Sequence, residues 1–414
     1  METVSPPRLA SNRDFRRWFL SRSVSVAGTA ASAVALPVLV YRTTGSAALT
    51  AAVVGLEALP YLAFGLFFGA LADRLPRKRA MVRADIVNAA LATTIPVADA
   101  FGVLTVWHLL AVAFGIGVGF CWFDSAAWGA LPRLVGKARL PEANSLIWGT
   151  SVVIGIVSPA ATGVFMTAAG PSLVLAIDAA SYLGSAVLIA SVRTPLTPER
   201  PERVRLAADI GAGLRFIWRE PVVRTLTSTG FLLAIAGGGT FGLLVVHADQ
   251  ALRVASGDWR IGLLYSASAF GGLVAAVLLP RTARRVGEGV VSVAGYSLFA
   301  VAIVVLASAY SPLVGLAGWV LWEFAYTMSI TNGINVRQQL TPDDMQGRVN
   351  TTGRMIAWGG TPFGALIGGL VAQATSARIA YAVLTVPVVV GLALLIASPV
   401  RTLRVGVTTG RAAA

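Results

Sequence analysis

Gly69-Ala70-Leu71-Ala72-Asp73-Arg74-Leu75-Pro76-Arg77-Lys78-Arg79 lies between two long apolar runs, and its reading decides the fold. A glycine, an Asp-Arg pair and then a basic cluster are what a tight loop between two membrane helices carries on its inner face. Gly69 lets a neighbouring helix come close, because no side chain separates the two backbones. Pro76 stops the preceding helix, since its ring removes an N–H donor and crowds the turn before it. Arg77, Lys78 and Arg79 resist translocation and hold the loop inside the cell. Asp73 sits beside enough positive charge to form an ion pair that opens and closes.

Composition extends this reading to the whole chain. Of 414 residues, 56% are hydrophobic and 13% charged, against about 25% charged in a soluble domain. The chain therefore belongs in a lipid bilayer. A helix of about 20 apolar residues spans the hydrocarbon core, and twelve such spans with short loops consume most of the length. The net charge of +14 raises nucleic-acid binding. That partner is rejected, because the basic residues fall in short runs between apolar segments, where they set topology.

Other chemistries find no support. Cys121 is the only cysteine, so no intramolecular disulfide forms, and its apolar surroundings read as packing. His108 and His247 do not make a metal site. No GxxxxGK[ST] phosphate loop appears, which argues against direct ATP drive. The first 16 residues lack a signal-peptide pattern, and Arg8, Arg13, Arg16 and Arg17 read as a cytoplasmic start.

In order, helices are expected at about 18–41, 47–71, 80–98, 104–126, 145–168 and 172–192. A proline-rich polar segment with a surface helix at about Ala207–Arg219 follows. Six more helices are expected at about 225–246, 260–279, 289–308, 313–334, 352–373 and 379–398. The domains are then 1–192, a cytoplasmic linker 193–224, and 225–414. Of 33 Lys+Arg residues, roughly 28 fall on the side assigned to the cytoplasm. A frame shift of one helix would scramble that asymmetry, so both termini are expected inside. A shift of about 206 residues lays Phe64-Gly65 over Phe270-Gly271 and Lys78-Arg79 over Arg284-Arg285, as a six-plus-six duplication requires. Leu279 takes the place of Asp73 in the second copy.

The opening stretch resembles the loop between helices 2 and 3 of the major facilitator superfamily: Gly, three residues, Asp, Arg, two residues, two basic residues. Gly69, Asp73, Arg74, Arg77 and Lys78 fill those positions in register. Within the superfamily the chain is most similar to the bacterial siderophore and macrolide efflux proteins. Asn12-Arg13-Asp14-Phe15-Arg16, Ile177-Asp178-Ala179-Ala180-Ser181-Tyr182 and Gly347-Arg348-Val349 carry that narrower resemblance. It implies an all-α integral membrane protein with twelve transmembrane helices in two pseudo-symmetric six-helix bundles. Helix 5 keeps Gly155, Pro159 and Gly163 of the exporters' signature, but Ser158 and Thr162 stand where glycines are usual. These small residues read either as a pliable hinge favouring antiport or as plain helix packing.

Charges inside the membrane cost about 2.5–3.5 kcal/mol each on insertion scales, so each is a functional candidate. Glu57 in helix 2 and Glu323 in helix 10 fall near mid-depth. Burial penalises their charged form, which makes them candidates to carry a proton or to bind substrate. Asp178 in helix 6 reads more as structural. Arg22, Asp85, Asp124 and Arg354 share the inner third and are expected to form one gate network joined to Asp73. Aromatic residues offer a substrate wall, among them Trp122, Phe123, Trp148, Trp319, Phe324 and Tyr326, with Trp322 beside Glu323 reading as the deepest.

The expected activity is proton-coupled export of an organic compound, a drug or secreted metabolite, by a cell-membrane monomer that needs no cofactor beyond the proton gradient. Its partners are the lipid bilayer and a small organic substrate. Metabolite uptake or facilitated diffusion is the alternative within transport, and a non-transporting sensor on the same scaffold is the alternative outside it. An enzyme is not expected, since no cluster of nucleophile, base or metal ligands is present.

Overall fold

Asn12 starts the first helix. Its side-chain oxygen accepts from the backbone N–H groups of Asp14 at 3.1 Å and Phe15 at 3.0 Å, two of the orphan donors that a helix start presents. Its amide donates to the Leu134 carbonyl at 2.8 Å. Asp14 accepts from the backbone N–H groups of Arg193 and Thr194. One short polar segment therefore ties the beginning of one helix to the ends of two others, all at the end of the molecule where the arginines gather.

The structure is a computed structural model that describes residues 9–72, 76–196, 206–342 and 345–404. Its helices are α1 Arg13–Thr44, α2 Ala47–Ala72, α3 Arg77–Ala100, α4 Val106–Val135, α5 Leu140–Ala169, α6 Pro171–Ala190, α7 Leu206–Arg219 and α8 Pro221–Gly242. Then come α9 Leu244–Gln250, α10 Arg260–Val286, α11 Glu288–Ser308, α12 Pro312–Leu340, α13 Gln346–Trp358, α14 Gly360–Ala374 and α15 Ala377–Ala397. Among the described residues twelve segments are long and apolar enough to cross a membrane, with α13 and α14 forming one of them.

The same packing pattern occurs twice. In the first bundle α1 lies on α5 and α6, α2 on α4, and α3 on α4 and α6. In the second, α8 lies on α14 and α15, α10 on α12, and α11 on α12 and α15. The bundles meet where α2 packs on α14 and α5 on α10. Exchanging the two repeats turns each of these contacts into the other, as a two-fold axis between the bundles requires. The twelve-helix, two-bundle expectation is met.

Two expected helices are interrupted. The seventh span breaks at Leu243 into α8 and α9, and the eleventh at Gly359 into α13 and α14. Several helices also run past their expected ends: α4 to Val135, α5 back to Leu140, α12 to Leu340. Counting apolar residues measures only the hydrocarbon thickness, whereas these helices continue beyond it, carrying Arg133 and Arg337 in their last turns. The surface helix α7 packs on α13, where Gly213 meets the Arg348 carbonyl and Thr352.

Candidate transport site

At the end away from the arginines, small residues let the bundles touch backbone to backbone. Gly163 of α5 and Gly262 of α10 face each other, and a Cβ on Gly262 would overlap the Pro159 carbonyl. Gly369 of α14 lies over Ala48 and Ala51 of α2, and Gly55 of α2 over Pro362 and Ala365. Polar links reinforce the seal. Tyr41 Oη donates to Asp249 at 3.0 Å, Ser46 Oγ to Gln373 at 2.9 Å, and Ser266 Oγ to the Ile156 carbonyl at 2.6 Å. Beside Gly262, Arg260 donates to Asp258 and holds that carboxyl below its ordinary range.

At the basic end the bundles part around a cavity of about 630 Å³. Its walls include Arg22 of α1, Tyr61 of α2, Asp124 and Trp128 of α4, Trp148 of α5, and Arg354 and Trp358 of α13. One chain of contacts crosses it. Arg354 Nη2 donates to Tyr61 Oη at 2.5 Å, Tyr61 Oη reaches Asp124 Oδ2 at 3.4 Å, and Arg22 Nη2 pairs with Asp124 Oδ1 at 3.4 Å. Through Arg354 and Tyr61 this chain links the two bundles across the cavity. The Arg22 guanidinium lies 5.5 Å from the Trp18 ring and 5.3 Å from that of Trp128, and Trp128 stacks on Trp148 with centroids 6.0 Å apart.

The expected gate network is therefore only partly assembled. Arg22, Asp124 and Arg354 come together, with Tyr61 as the unforeseen connector. Asp85 does not join them. It is 1% exposed and accepts from Ser185 Oγ at 2.6 Å, and Ser185 contacts Ser21 at 2.7 Å, a buried chain between α1, α3 and α6. Asp73 and Arg74 lie outside the described residues, and Gly69 lies within α2. Arg77 donates to the Gly129 carbonyl at 2.5 Å and Lys78 to the Val192 carbonyl at 2.7 Å. Both cations thus satisfy carbonyls inside the first bundle, and Lys78 does so just past the end of α6, where positive charge is favoured.

Glu57 is half-buried on α2, one turn from Tyr61, and has no hydrogen bond or ion pair among the described residues. It lies within electrostatic reach of Asp178 in its own bundle and Tyr265 in the other. Glu323 is half-buried between α10 and α12, accepting from Ser268 Oγ at 3.2 Å and Thr327 Oγ1 at 3.0 Å. No hydrogen bond joins the two glutamates. Trp322 does not line the cavity. It is 3% exposed and stacks on Phe241 and Tyr326 inside the second bundle. Helical spacing explains the difference, because adjacent residues point about 100° apart, so Glu323 and Trp322 look into different spaces. Gly155 faces Ala269 and Gly163 faces Gly262, which puts the helix 5 glycines on the boundary between bundles. Ser158, beside Pro159, turns instead to the Ala27 carbonyl of α1 at 2.8 Å.

Asp178 is fully buried, accepting from Ser32 Oγ at 2.5 Å and Ser181 Oγ at 3.0 Å where α1 packs on α6. Asp178→Ala leaves two hydroxyls without their acceptor and is expected to cost about 1–3 kcal/mol. Thermal unfolding in detergent should show a clear loss for Ala and a smaller one for Asn. Equal melting of the Ala variant and the parent protein would remove Asp178 from the structural role.

Sequence reasoning missed Tyr61, Trp128 and Trp358, although a signal was present. Each lies four residues from a singled-out charge: Glu57 and Tyr61, Asp124 and Trp128, Arg354 and Trp358. That spacing puts aromatic and charge on one helix face.

The sequence matches the family described as "Transmembrane secretion effector" over residues 4–409. It is 28% identical over 381 residues to the multidrug efflux pump Tap of Mycolicibacterium fortuitum, covering 87% of this chain and 90% of the pump. To the enterobactin exporter EntS of Salmonella typhimurium it is 26% identical over 382 residues, covering 89% and 88%. Among solved structures, a bacterial homologue of iron transporter ferroportin in its inward-facing state superposes with a TM-score of 0.72 at 18% identity, over 94% of this chain and 99% of the other. An outward-facing form of such a homologue gives 0.60 at 19% identity, over 92% and 98%. The chain belongs to the transmembrane secretion effector family, within the major facilitator superfamily of membrane transporters.

Proposed function

We propose that this protein is a proton-coupled exporter of small organic compounds in the bacterial inner membrane. The observation that carries the reading is a cavity open at the basic end and sealed at the other, in a chain whose relatives are named for efflux and export. Positive charge is retained on the cytoplasmic side, so the basic end and both termini are cytoplasmic. The better match to an inward-facing transporter agrees with that orientation. Residues 1–192 and 225–414 rock as two bodies about the cavity, joined by 193–224. The protein acts as a monomer and needs no bound cofactor.

The energetics suit such a cycle. Each polar link of the seal contributes roughly 0.5–1.5 kcal/mol net, and one proton falling through 100 mV supplies about 2.3 kcal/mol. The two are of the same order, so proton entry is able to drive opening. Glu57, with no fixed partner, is placed to exchange a proton or a ligand at the boundary between bundles. Glu323 is held by two hydroxyls that serve either protonation state. The one observation favouring facilitated diffusion or uptake instead is Ser158, whose bond to Ala27 ties the helix 5 segment to its own bundle.

Proteoliposomes holding a trapped pH dye test the coupling. Substrate addition is expected to move protons, at least tenfold more slowly in Glu323→Gln or Glu57→Gln, while substrate binding persists. Substrate movement without protons in the parent protein would replace antiport by facilitated diffusion.

A further inference from the structure

Among the described residues the charge of the cavity wall does not balance. Asp124 has both oxygens engaged, one by Arg22 and the other by Tyr61. Arg354 is exposed to the cavity, and its one hydrogen bond among the described residues goes to the Tyr61 hydroxyl, a neutral acceptor. Its guanidinium carbon lies 5.2 Å from the centroid of the same ring. Behind it Arg337, 4% exposed, makes only a long 3.5 Å contact with the amide oxygen of Asn350 and has no carboxylate partner among the described residues. Arg22 Nε is buried with no acceptor. Among the described residues two guanidiniums and one carboxylate therefore line the cavity, and Arg337 stands behind them without lining it.

Uncompensated positive charge within a membrane protein is expensive, and it persists where it serves a ligand. A guanidinium offers a flat fork of donors that matches carboxylate, phenolate or phosphate oxygens. The Trp128–Trp148 stack and Trp358 add broad ring faces to the same wall. A volume of about 630 Å³ lies within the range of drug-sized sites.

We propose that the exported substrates are aromatic anions, planar compounds whose rings stack on the Trp128–Trp148 pair and whose negative oxygens are taken by Arg354. This rests on the export reading above and narrows it to one class of chemistry. A cationic amphipath of the same shape would meet the excess guanidinium charge and bind less well. While the cavity is loaded, the anion supplies the charged acceptor that Arg354 lacks among the described residues. The Arg354–Tyr61 link between the bundles then competes with the substrate, so that loading loosens that link.

Three probes of nearly one shape test the proposal: naphthalene-2-carboxylate, the neutral 2-naphthamide and the cation 2-naphthylmethylammonium. Each is titrated calorimetrically into the full-length protein in nanodiscs, then followed for flux in proteoliposomes. The carboxylate is expected to bind at least tenfold more tightly than the amide, and the ammonium most weakly. Arg354→Gln should erase the carboxylate's advantage, and Arg354→Lys, which keeps the charge but not the fork, should restore part of it. Equal affinities, a preference for the ammonium, or no binding by any of the three overturns the proposal, as does an advantage that survives Arg354→Gln. Flux separates the two levels. Export of the amide or ammonium but not the carboxylate leaves the export reading standing without the anion. Tight carboxylate binding with no flux of any probe leaves the anion site standing without export.

Discussion

Gly262→Val is expected to leave a folded, ligand-binding protein that no longer seals the end away from the basic cluster. Gly163 and Gly262 bring α5 and α10 together with no side chain between them, and a Cβ on Gly262 would overlap the Pro159 carbonyl and stand 2.9 Å from Gly163 Cα. Those obstacles are backbone atoms, which cannot move aside by changing rotamer. Overpacking of this kind costs about 3 kcal/mol at the upper end of its usual range, or roughly two orders of magnitude in population. The strain exists only while the helices are in contact. The variant should therefore favour the state in which they have parted, rather than unfold. With Cys121 replaced by serine the chain has no cysteine, so Ser266→Cys gives a single label site on the contact surface. Labelling by a membrane-impermeant maleimide added on the side of the sealed end should rise many-fold when Val replaces Gly262, and flux should fall about a hundredfold. Unchanged labelling would show that this contact is not part of the seal.

Asp124→Ala carries the second large effect. The Arg22–Asp124 pair is 13% and 12% exposed, and its arginine is enclosed by Trp18 and Trp128. Removing one member of such a pair leaves a charge with no counterion, at a cost of about 3 kcal/mol where the cavity admits some water. Tyr61 loses its acceptor in the same step, so the hydroxyl that takes Arg354 is no longer oriented by a carboxylate. Asp124→Asn keeps one acceptor oxygen, enough for one of the two neighbours, and should melt between the two. The double variant Arg22→Leu with Asp124→Ala removes both charges and should recover much of the lost stability. A double variant as unstable as Asp124→Ala alone would mean that the pair is not the source of the loss.

Much of this architecture was legible because bilayer solvation is a strict rule. Backbone groups in hydrocarbon must bond within their own helix, so apolar length and arginine placement define the spans before any packing is known. The loop at Gly69–Arg79 and the Phe64-Gly65/Phe270-Gly271 correspondence gave the two-bundle plan by the same logic. Side-chain direction was less legible. Trp322 and Glu323 adjoin in sequence but face different spaces, and the hydrophobic pattern does not say which face of α12 meets the aromatic core. Arg22 and Asp85 share a depth, yet Asp124 takes the arginine while Ser185 takes the aspartate. Depth can be counted along a helix, whereas partner choice depends on the rotation of neighbouring helices. The four-residue spacing of Glu57 and Tyr61, Asp124 and Trp128, and Arg354 and Trp358 was the local pattern that did encode the cavity wall.

Direction of movement tests the central claim most directly. Membrane vesicles of both orientations, energised by respiration, would be given the same panel of anionic, neutral and cationic aromatic compounds. The export account expects at least one compound to accumulate in inverted vesicles. That accumulation should be abolished by a protonophore and by Glu323→Gln, with none in right-side-out vesicles. Accumulation confined to right-side-out vesicles, or gradient-independent equilibration in both, would contradict it.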